Sequence, residues 1–387
     1  MRILICSEKF CYDSSTFLYN QVIELSKKHT VKYVCSIREN EDKFPYDDVE
    51  IIPYKVNPLL KKIRWYKEIY DISLDFKVRD FFKRFNRIIE DFKPDLIHFH
   101  FAYEAFRFIA NMDKRYLSIP YVITFHGYDA TMMLKRKSYV KLINKYLNAP
   151  NAYAHLVCDF FREGFKKYQV KIRQADTIYL GIDVSKFNRS NRNPWNSKTG
   201  KITFVQISNF QEKKGHEFTI RAFKIVKEKY PDFNWQLIFA GGGMLIDEIK
   251  KLVDELNLSD QITFTGFISP SEAQQLLDSA NVFVHHSVTS EQGDTEGCTN
   301  SIMEAMAMEL PVLSTYHGGI PEMMDDGVHG FLLEEKDIEK YSERIYEIRN
   351  WSYKKECRDR VLKQFNLGDF VSNLEAHFQN IVSKHSK

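Results

Sequence analysis

No apolar run in this chain reaches the length of a membrane-spanning helix. The longest are strand-sized, well short of the roughly 20 apolar residues that cross a bilayer, so no transmembrane helix is expected. The opening MRILICSEKF carries only a short apolar stretch before Glu8 and Lys9 and no cleavage site, which argues against a signal peptide. Cysteine is sparse, and Cys6, Cys11, Cys35, Cys158, Cys298 and Cys357 form no CxxC or Cys/His spacing. Neither a disulfide framework nor a zinc site follows, and a reducing cytoplasm fits best. Charge of either sign is not in excess: 55 Lys and Arg against 52 Asp and Glu leave +3, too little to imply nucleic acid. No repeat of solenoid length occurs, and no DxD pair stands at a strand end, so no essential metal and no cofactor are expected.

What is present is a globular composition, 44% hydrophobic and 28% charged, over 387 residues, more than one comfortable core. Two domains are expected, residues 1–188 and 189–366, followed by a terminal helix over 367–387. The pattern is of βα units, made twice, which predicts an α/β protein with two doubly wound, Rossmann-like sheets. RILICS is a strand, SSTFLYNQVIELSKKH a helix capped by Ser14 or Ser15, and VKYVCS the next strand. PDLIHFHF puts His98 and His100 on one face by period-two alternation. A metal pair is one reading and polar packing the other, and no third ligand lies at suitable spacing. YVITFHGYD is a strand ending in His126, Gly127 and Asp129, where the carboxyl ends of an open sheet place ligands. The polar stretch NRSNRNPWNSKTG is the linker candidate.

Between Tyr54 and Lys93, eleven basic residues alternate with Trp65, Tyr66, Tyr70, Phe76, Phe81, Phe82 and Phe85. That mixture suits an anionic membrane surface, and equally a solvated helix whose aromatics face the core, as Asp71, Asp75, Asp80, Glu90 and Asp91 suggest.

In the second half, Lys213 and Lys214 stand at a strand-to-helix junction, where an ammonium can neutralise a diphosphate; a solvated pair is the plainer alternative. Gly241, Gly242 and Gly243 lack the third spaced glycine of a dinucleotide fingerprint. The densest stretch is DTEGCTNSIMEAMAMELPVLSTYHGGIPE, with Glu296 and Glu304 separated by seven residues. Thr299, Asn300 and Ser301 are N-cap types, and the backbone N–H groups over Gly297, Cys298, Thr299 and Asn300 are placed to hold a phosphate. The same letters contain Ser301-x-x-Glu304, which is also a capping box.

This run resembles the signature of the retaining family-four glycosyltransferases, which have the GT-B fold, and most of all those of bacterial exopolysaccharide and colanic-acid type. The resemblance extends over nearly the whole chain. It implies two facing domains, the first for the acceptor and the second for the nucleotide sugar, with the last helix crossing back onto the first. Transfer of a hexose-type sugar from a UDP- or GDP-linked donor is implied, with Glu296 on the sugar hydroxyls, Glu304 on the ribose, and Lys214 on the diphosphate. Gly266 and Phe267 would meet the base, and His126 the sugar. Ser15, Thr16, His100, Gly127 and Asp129 would line the acceptor side. The acceptor would be a polyprenyl-linked glycan, and the protein cytoplasmic or peripheral on the inner membrane face. Two departures stand out. The family writes GRxxxKKG where this chain has Ser208 and Asn209 before its lysines, so one of two expected phosphate-binding cations is missing. Tyr12 to Thr16 replace the glycine loop common after the first strand. A GT-B epimerase, a non-catalytic nucleotide-sugar-binding partner in a membrane assembly, and more distantly an NAD oxidoreductase, are the other readings.

Overall fold

The computed structural model of the chain describes residues 1–11, 16–53, 78–189 and 200–385. They divide into two compact units, residues 1–181 with 367–387, and residues 182–366.

The first unit is built on a seven-stranded sheet. Its strands are β1 (Arg2–Cys6), β3 (Thr30–Cys35), β5 (Val49–Ile51), β6 (Leu96–His100), β7 (Tyr121–Phe125), β8 (Ala152–Leu156) and β9 (Ala175–Thr177); β2 (Lys9–Phe10) and β4 (Ile37–Arg38) form a separate ribbon. The order is β5-β3-β1-β6-β7-β8-β9, with every pair parallel. Parallel strands carry helices on both faces, so they are buried throughout, and β6, β7 and β8 are buried at all five positions. Their polar members, His98, His100, Thr124 and His155, must therefore find partners inside the protein. Strand order reverses between β1 and β6, which opens the ligand crevice of such sheets at the strands' carboxyl ends. His126 follows β7 at that end.

The helix Arg79–Phe92 buries Phe81, Phe85, Asn86, Ile89 and Phe92 and turns its basic residues outward. Over that stretch the aromatics serve the core, as the plainer of the two readings expected. The rest of the basic region, 54–77, lies outside the described residues, as do Ser14, Ser15 and the linker residues 190–199. The terminal helix Leu367–His385 belongs to the first unit. It sets Phe378 edge-on to His98, centroids 5.1 Å apart, and its Glu375 meets Lys28 at 2.9 Å and His29 at 3.0 Å.

The second unit has six strands, β10 (Ile202–Ile207), β11 (Trp235–Ala240), β12 (Ile262–Gly266), β13 (Val282–Val284), β14 (Val312–Thr315) and β15 (Gly330–Leu333). They lie in the order β12-β11-β10-β13-β14-β15, again all parallel, over a core that includes Phe204, Phe223, Trp235, Phe239 and Tyr341. Order reverses between β10 and β13, so the segments following those two strands flank this unit's crevice. Residues 182–188 belong here rather than with the first unit. Ile182 N–H donates to Phe365 O at 2.9 Å, and the Arg358 guanidinium binds Phe187 O.

Candidate active site

The turn after β10 and the loop after β13 bring Lys214 and Glu296 together, Nζ to Oε1 at 2.7 Å, both largely buried. The turn is held by Gln206, whose side-chain amide donates to Lys214 O at 2.9 Å, and by Val288 N–H on Lys213 O at 3.0 Å. Gly215 closes it at φ +61°, and a Cβ there would stand 1.7 Å from His286 O, so the residue after the two lysines must be glycine. Lys213 pairs with Asp294 at 3.0 Å.

Glu296 is held from behind. Its N–H donates to His317 Nε2 at 2.9 Å, His317 Nδ1 lies 2.6 Å from Glu335, and Glu335 accepts from the Thr289 backbone at 2.7 Å. Burial alone would raise the Glu296 carboxyl, but the ammonium groups of Lys214 and Lys213, with His285, outweigh it and hold it well below the ordinary carboxylate range. It is thus a fixed anion against a fixed cation.

Helix Asn300–Ala307 begins four residues on, with Thr299 as N-cap and no side-chain cap bond. Ser301 lies inside the helix, so the Ser301–Glu304 capping box is not formed; a capping box is formed instead by Ser269 with Glu272 at helix Pro270–Ser279. Glu304 is therefore not tying down the helix start, and burial raises its carboxyl to about 7. Around these groups, Asn209 Oδ1, Thr299 Oγ1, Asn300 Oδ1 and both ring nitrogens of His285 are buried with no hydrogen-bond partner among the described residues. Orphaned buried polar atoms are rare, and a set of them on the segments carrying Lys214 and Glu296 marks a surface shaped for a polar ligand.

The carboxyl ends of β10, β11 and β12 adjoin. Gly241 N–H donates to Gly266 O at 2.8 Å, and a Cβ on Gly241 would lie 2.0 Å from Ser208 O. The Phe267 ring, 73% exposed, lies against Gly242, where a Cβ would come within 2.3 Å. Gly241 and Gly243, which fit no dinucleotide fingerprint, are thus required by close approach to the backbone of Ser208 and Phe210, while Gly242 leaves room for the Phe267 ring, and Ser208, Asn209, Gly266 and Phe267 gather on one rim.

In the first unit, His126 Nε2 lies 3.0 Å from His100 Nδ1, and the rings of Phe101 and Phe17 stand 4.4 and 5.0 Å from it. Asp129 takes three backbone N–H groups, those of Ala102, His126 and Gly127, at 2.9 to 3.0 Å. It shapes the loop at Gly127 rather than facing an acceptor, its carboxylate being fully buried. His100, also expected on the acceptor side, is 1% exposed and has both ring nitrogens engaged, by Gln21 and His126. Thr16 opens helix Thr16–Ser26, and Ser15 is outside the described residues. Sequence reasoning missed His285, His317, Glu335, Gln21 and His155, although the HH and HGG letter pairs at strand ends were a signal for the first two. Among the described residues no group of three or more His, Cys, Asp or Glu is placed to hold a metal, and no helix is long and apolar enough to cross a membrane.

This arrangement, two switch-point sheets with a cation–carboxylate pair beside a helix N-terminus, is that of a glycosyltransferase of GT-B fold. Residues 14–186 match the family described as Glycosyltransferase Family 4 and residues 187–360 that described as Glycosyl transferases group 1, and the chain belongs to this family. Relatives include the glycosyltransferase WcaL of Salmonella typhimurium, named for colanic acid biosynthesis, 30% identical over 52% of this chain and 50% of its own length. The amylovoran biosynthesis glycosyltransferase AmsK of Erwinia amylovora is 28% identical over 64% of this chain and 60% of its own. The chain thus spans only about half the length of the first of these relatives. Among solved structures, sucrose-phosphate synthase from Thermosynechococcus elongatus has the same fold, with a TM-score of 0.77 at 16% identity, covering 99% of each chain. The Anabaena protein HepE in complex with UDP and glucose gives 0.74 at 16% identity, covering 98% of this chain and 99% of that one.

Proposed function

We propose that this chain moves a hexose-type sugar, with retention and without a metal, from a UDP- or GDP-linked donor to a lipid-linked glycan acceptor in the synthesis of a surface polysaccharide. The observation that carries the reading is the buried Lys214–Glu296 pair at 2.7 Å beside the start of helix Asn300–Ala307. Breaking the anomeric bond puts negative charge on the leaving diphosphate. Lys214 and the N–H groups over Gly297 to Asn300 are fixed before that charge arrives, and preorganised electrostatics of this kind are usually the largest catalytic term. Glu296 accepts from sugar hydroxyls, Glu304 from the ribose, the Gly266–Phe267 rim takes the base, and His126 contacts the sugar. The names of WcaL and AmsK support a polysaccharide product, and an acceptor at the inner membrane face follows from that chemistry.

Asn209 supplies no charge, so Lys214 carries the diphosphate with backbone help. The test is thermal stabilisation by UDP, GDP, ADP and NAD, wild type beside Lys214→Ala. A ligand at about 100 times its Kd adds about 2.7 kcal/mol, a shift of a few degrees. One nucleoside diphosphate should stabilise the wild type and not the variant; stabilisation by NAD alone would defeat the reading. With a donor identified, Glu296→Gln and Lys214→Ala should each lower kcat/KM by roughly 10²-fold or more.

A further inference from the structure

Five side chains in the first unit form a continuous hydrogen-bonded line behind His126, and its polarity is set at the far end. Ile178 O can only accept, so His155 Nε2, 2.6 Å away, carries a hydrogen. A neutral imidazole has one N–H, so His155 Nδ1 must accept, and its partner at 2.9 Å is the Thr124 hydroxyl. Having donated its hydrogen, Thr124 accepts from His98 Nε2 at 2.7 Å. His98 Nδ1 then accepts from the Gln21 amide at 3.2 Å, and the second amide N–H faces His100 Nε2 at 3.4 Å, the longest link. His100 Nδ1 therefore holds its proton and donates to His126 Nε2 at 3.0 Å. His126 is left protonated at Nδ1, and no described residue hydrogen-bonds that atom. Reversing the line would need a charged His155 in a fully buried position.

We propose that this relay fixes His126 as a hydrogen-bond donor through Nδ1, so that it meets an oxygen of the bound sugar, and that Gln21, His98, His100, Thr124 and His155 are positioning residues acting through it. Burial holds His98, His100, His126 and His155 neutral, as the one-proton-per-ring argument requires. The backbone N–H of His126 is pinned by Asp129 at 3.0 Å, and the rings of Phe17 and Phe101 limit its rotation. Orientation and protonation site are thus set together, and His126 serves the ligand by donating rather than as a base at Nδ1. The part played toward a sugar rests on the function proposed above; the tautomer does not.

The experiment is ring-nitrogen NMR on the full chain with 15N-histidine, the His126 signals assigned by their loss in His126→Gln. Wild type should show a protonated Nδ1 and a bare Nε2. Thr124→Ser, which keeps the hydroxyl, should retain that pattern, whereas Thr124→Val and Gln21→Leu should give signals averaged between tautomers. In transfer assays the two unpinned variants should lose about tenfold in kcat at little-changed KM, with Thr124→Ser near wild type. A protonated Nε2 in wild-type His126, or an unchanged pattern in Gln21→Leu, overturns the relay. If Thr124→Val does not fold, the wild-type spectrum and Gln21→Leu still decide. The expected tautomers with no transfer from any nucleotide sugar would uphold the relay and sink the proposed function instead. Transfer with unchanged kcat in the unpinned variants would overturn the donor role of His126.

Discussion

Glu296 is held as an anion in a buried place by the ammonium of Lys214, 2.7 Å away. Removing one partner of a buried pair leaves an uncompensated charge, typically at a cost of about 3–5 kcal/mol, whereas removing both is often nearly neutral. Lys214→Met or Glu296→Gln alone should therefore lower the stability of the second unit markedly, and the double variant should recover most of the loss in urea denaturation. A double variant no more stable than the worse single one would show that the pair is not a buried ionic unit. Glu304 shows the opposite shift. Its carboxyl titrates near 7 when folded, against about 4.3 unfolded, so the native state favours the protonated form. Below the unfolded value the group costs nothing; stability falls as pH rises between the two values, and the full penalty, roughly 4 kcal/mol, is present above about 8. Glu304→Gln should thus be more stable than wild type at pH 8 and hardly different at pH 4. Equal pH dependence in the two proteins would remove this account of Glu304. If the carboxylate also binds ribose, the stabler variant will bind the nucleoside diphosphate more weakly.

The element that carries the site is the run from Asp294 to Glu322, and its order was legible: loop, helix, strand, turn. Its helix, Asn300–Ala307, and strand, Val312–Thr315, follow from N-cap types, a helix-forming stretch and Pro311. Whether Glu304 capped the helix was not legible, because Thr299, Asn300 and Ser301 are interchangeable as caps in sequence and only the observed start at Asn300 puts Ser301 inside. The histidine relay was half legible. Alternation puts His98 and His100 on one face, but that Thr124 lies opposite both His100 and His155 is a matter of strand order and register across β6, β7 and β8, which no local pattern encodes. The turn after Val312–Thr315 yields a direct test. Gly318 has φ +53°, and a Cβ there would stand 2.2 Å from Glu296 O, whereas Gly327, at φ +74°, has nothing within 4 Å. Gly327→Ala should cost only the left-handed backbone term, about 1–2 kcal/mol, and keep nucleotide binding. Gly318→Ala should cost more and displace the Glu296 backbone, with loss of donor turnover. Equal effects of the two substitutions, read by denaturation and by turnover, would mean that the contact with Glu296 does not matter.

At the scale of the molecule, twice-repeated βα patterning was enough to anticipate two doubly wound sheets, since parallel strands buried on both faces read as continuous apolar runs. Where the units meet along the chain was less legible. Residues 182–188 look like the tail of a strand-and-turn, and what assigns them to the second unit is bonding to Phe365 and Arg358, far away in sequence. The last helix is the converse case: nineteen residues that follow the second unit in sequence but belong to the first, with Phe370, Leu374, Phe378 and Ile381 buried. Two units with separate cores respond separately to a core defect, and an all-or-none transition is not expected of them. Leu374 is fully buried in the first unit. Leu374→Ala should remove about 2–5 kcal/mol from that unit, seen as a downward shift of one calorimetric transition. The groups assigned to the nucleoside diphosphate all lie within residues 182–366, so the thermal shift on adding it should survive in the other transition. Loss of that shift in a Leu374→Ala protein that is folded at the assay temperature would mean that nucleotide binding needs the first unit intact, and that the second unit's residues are not a sufficient site.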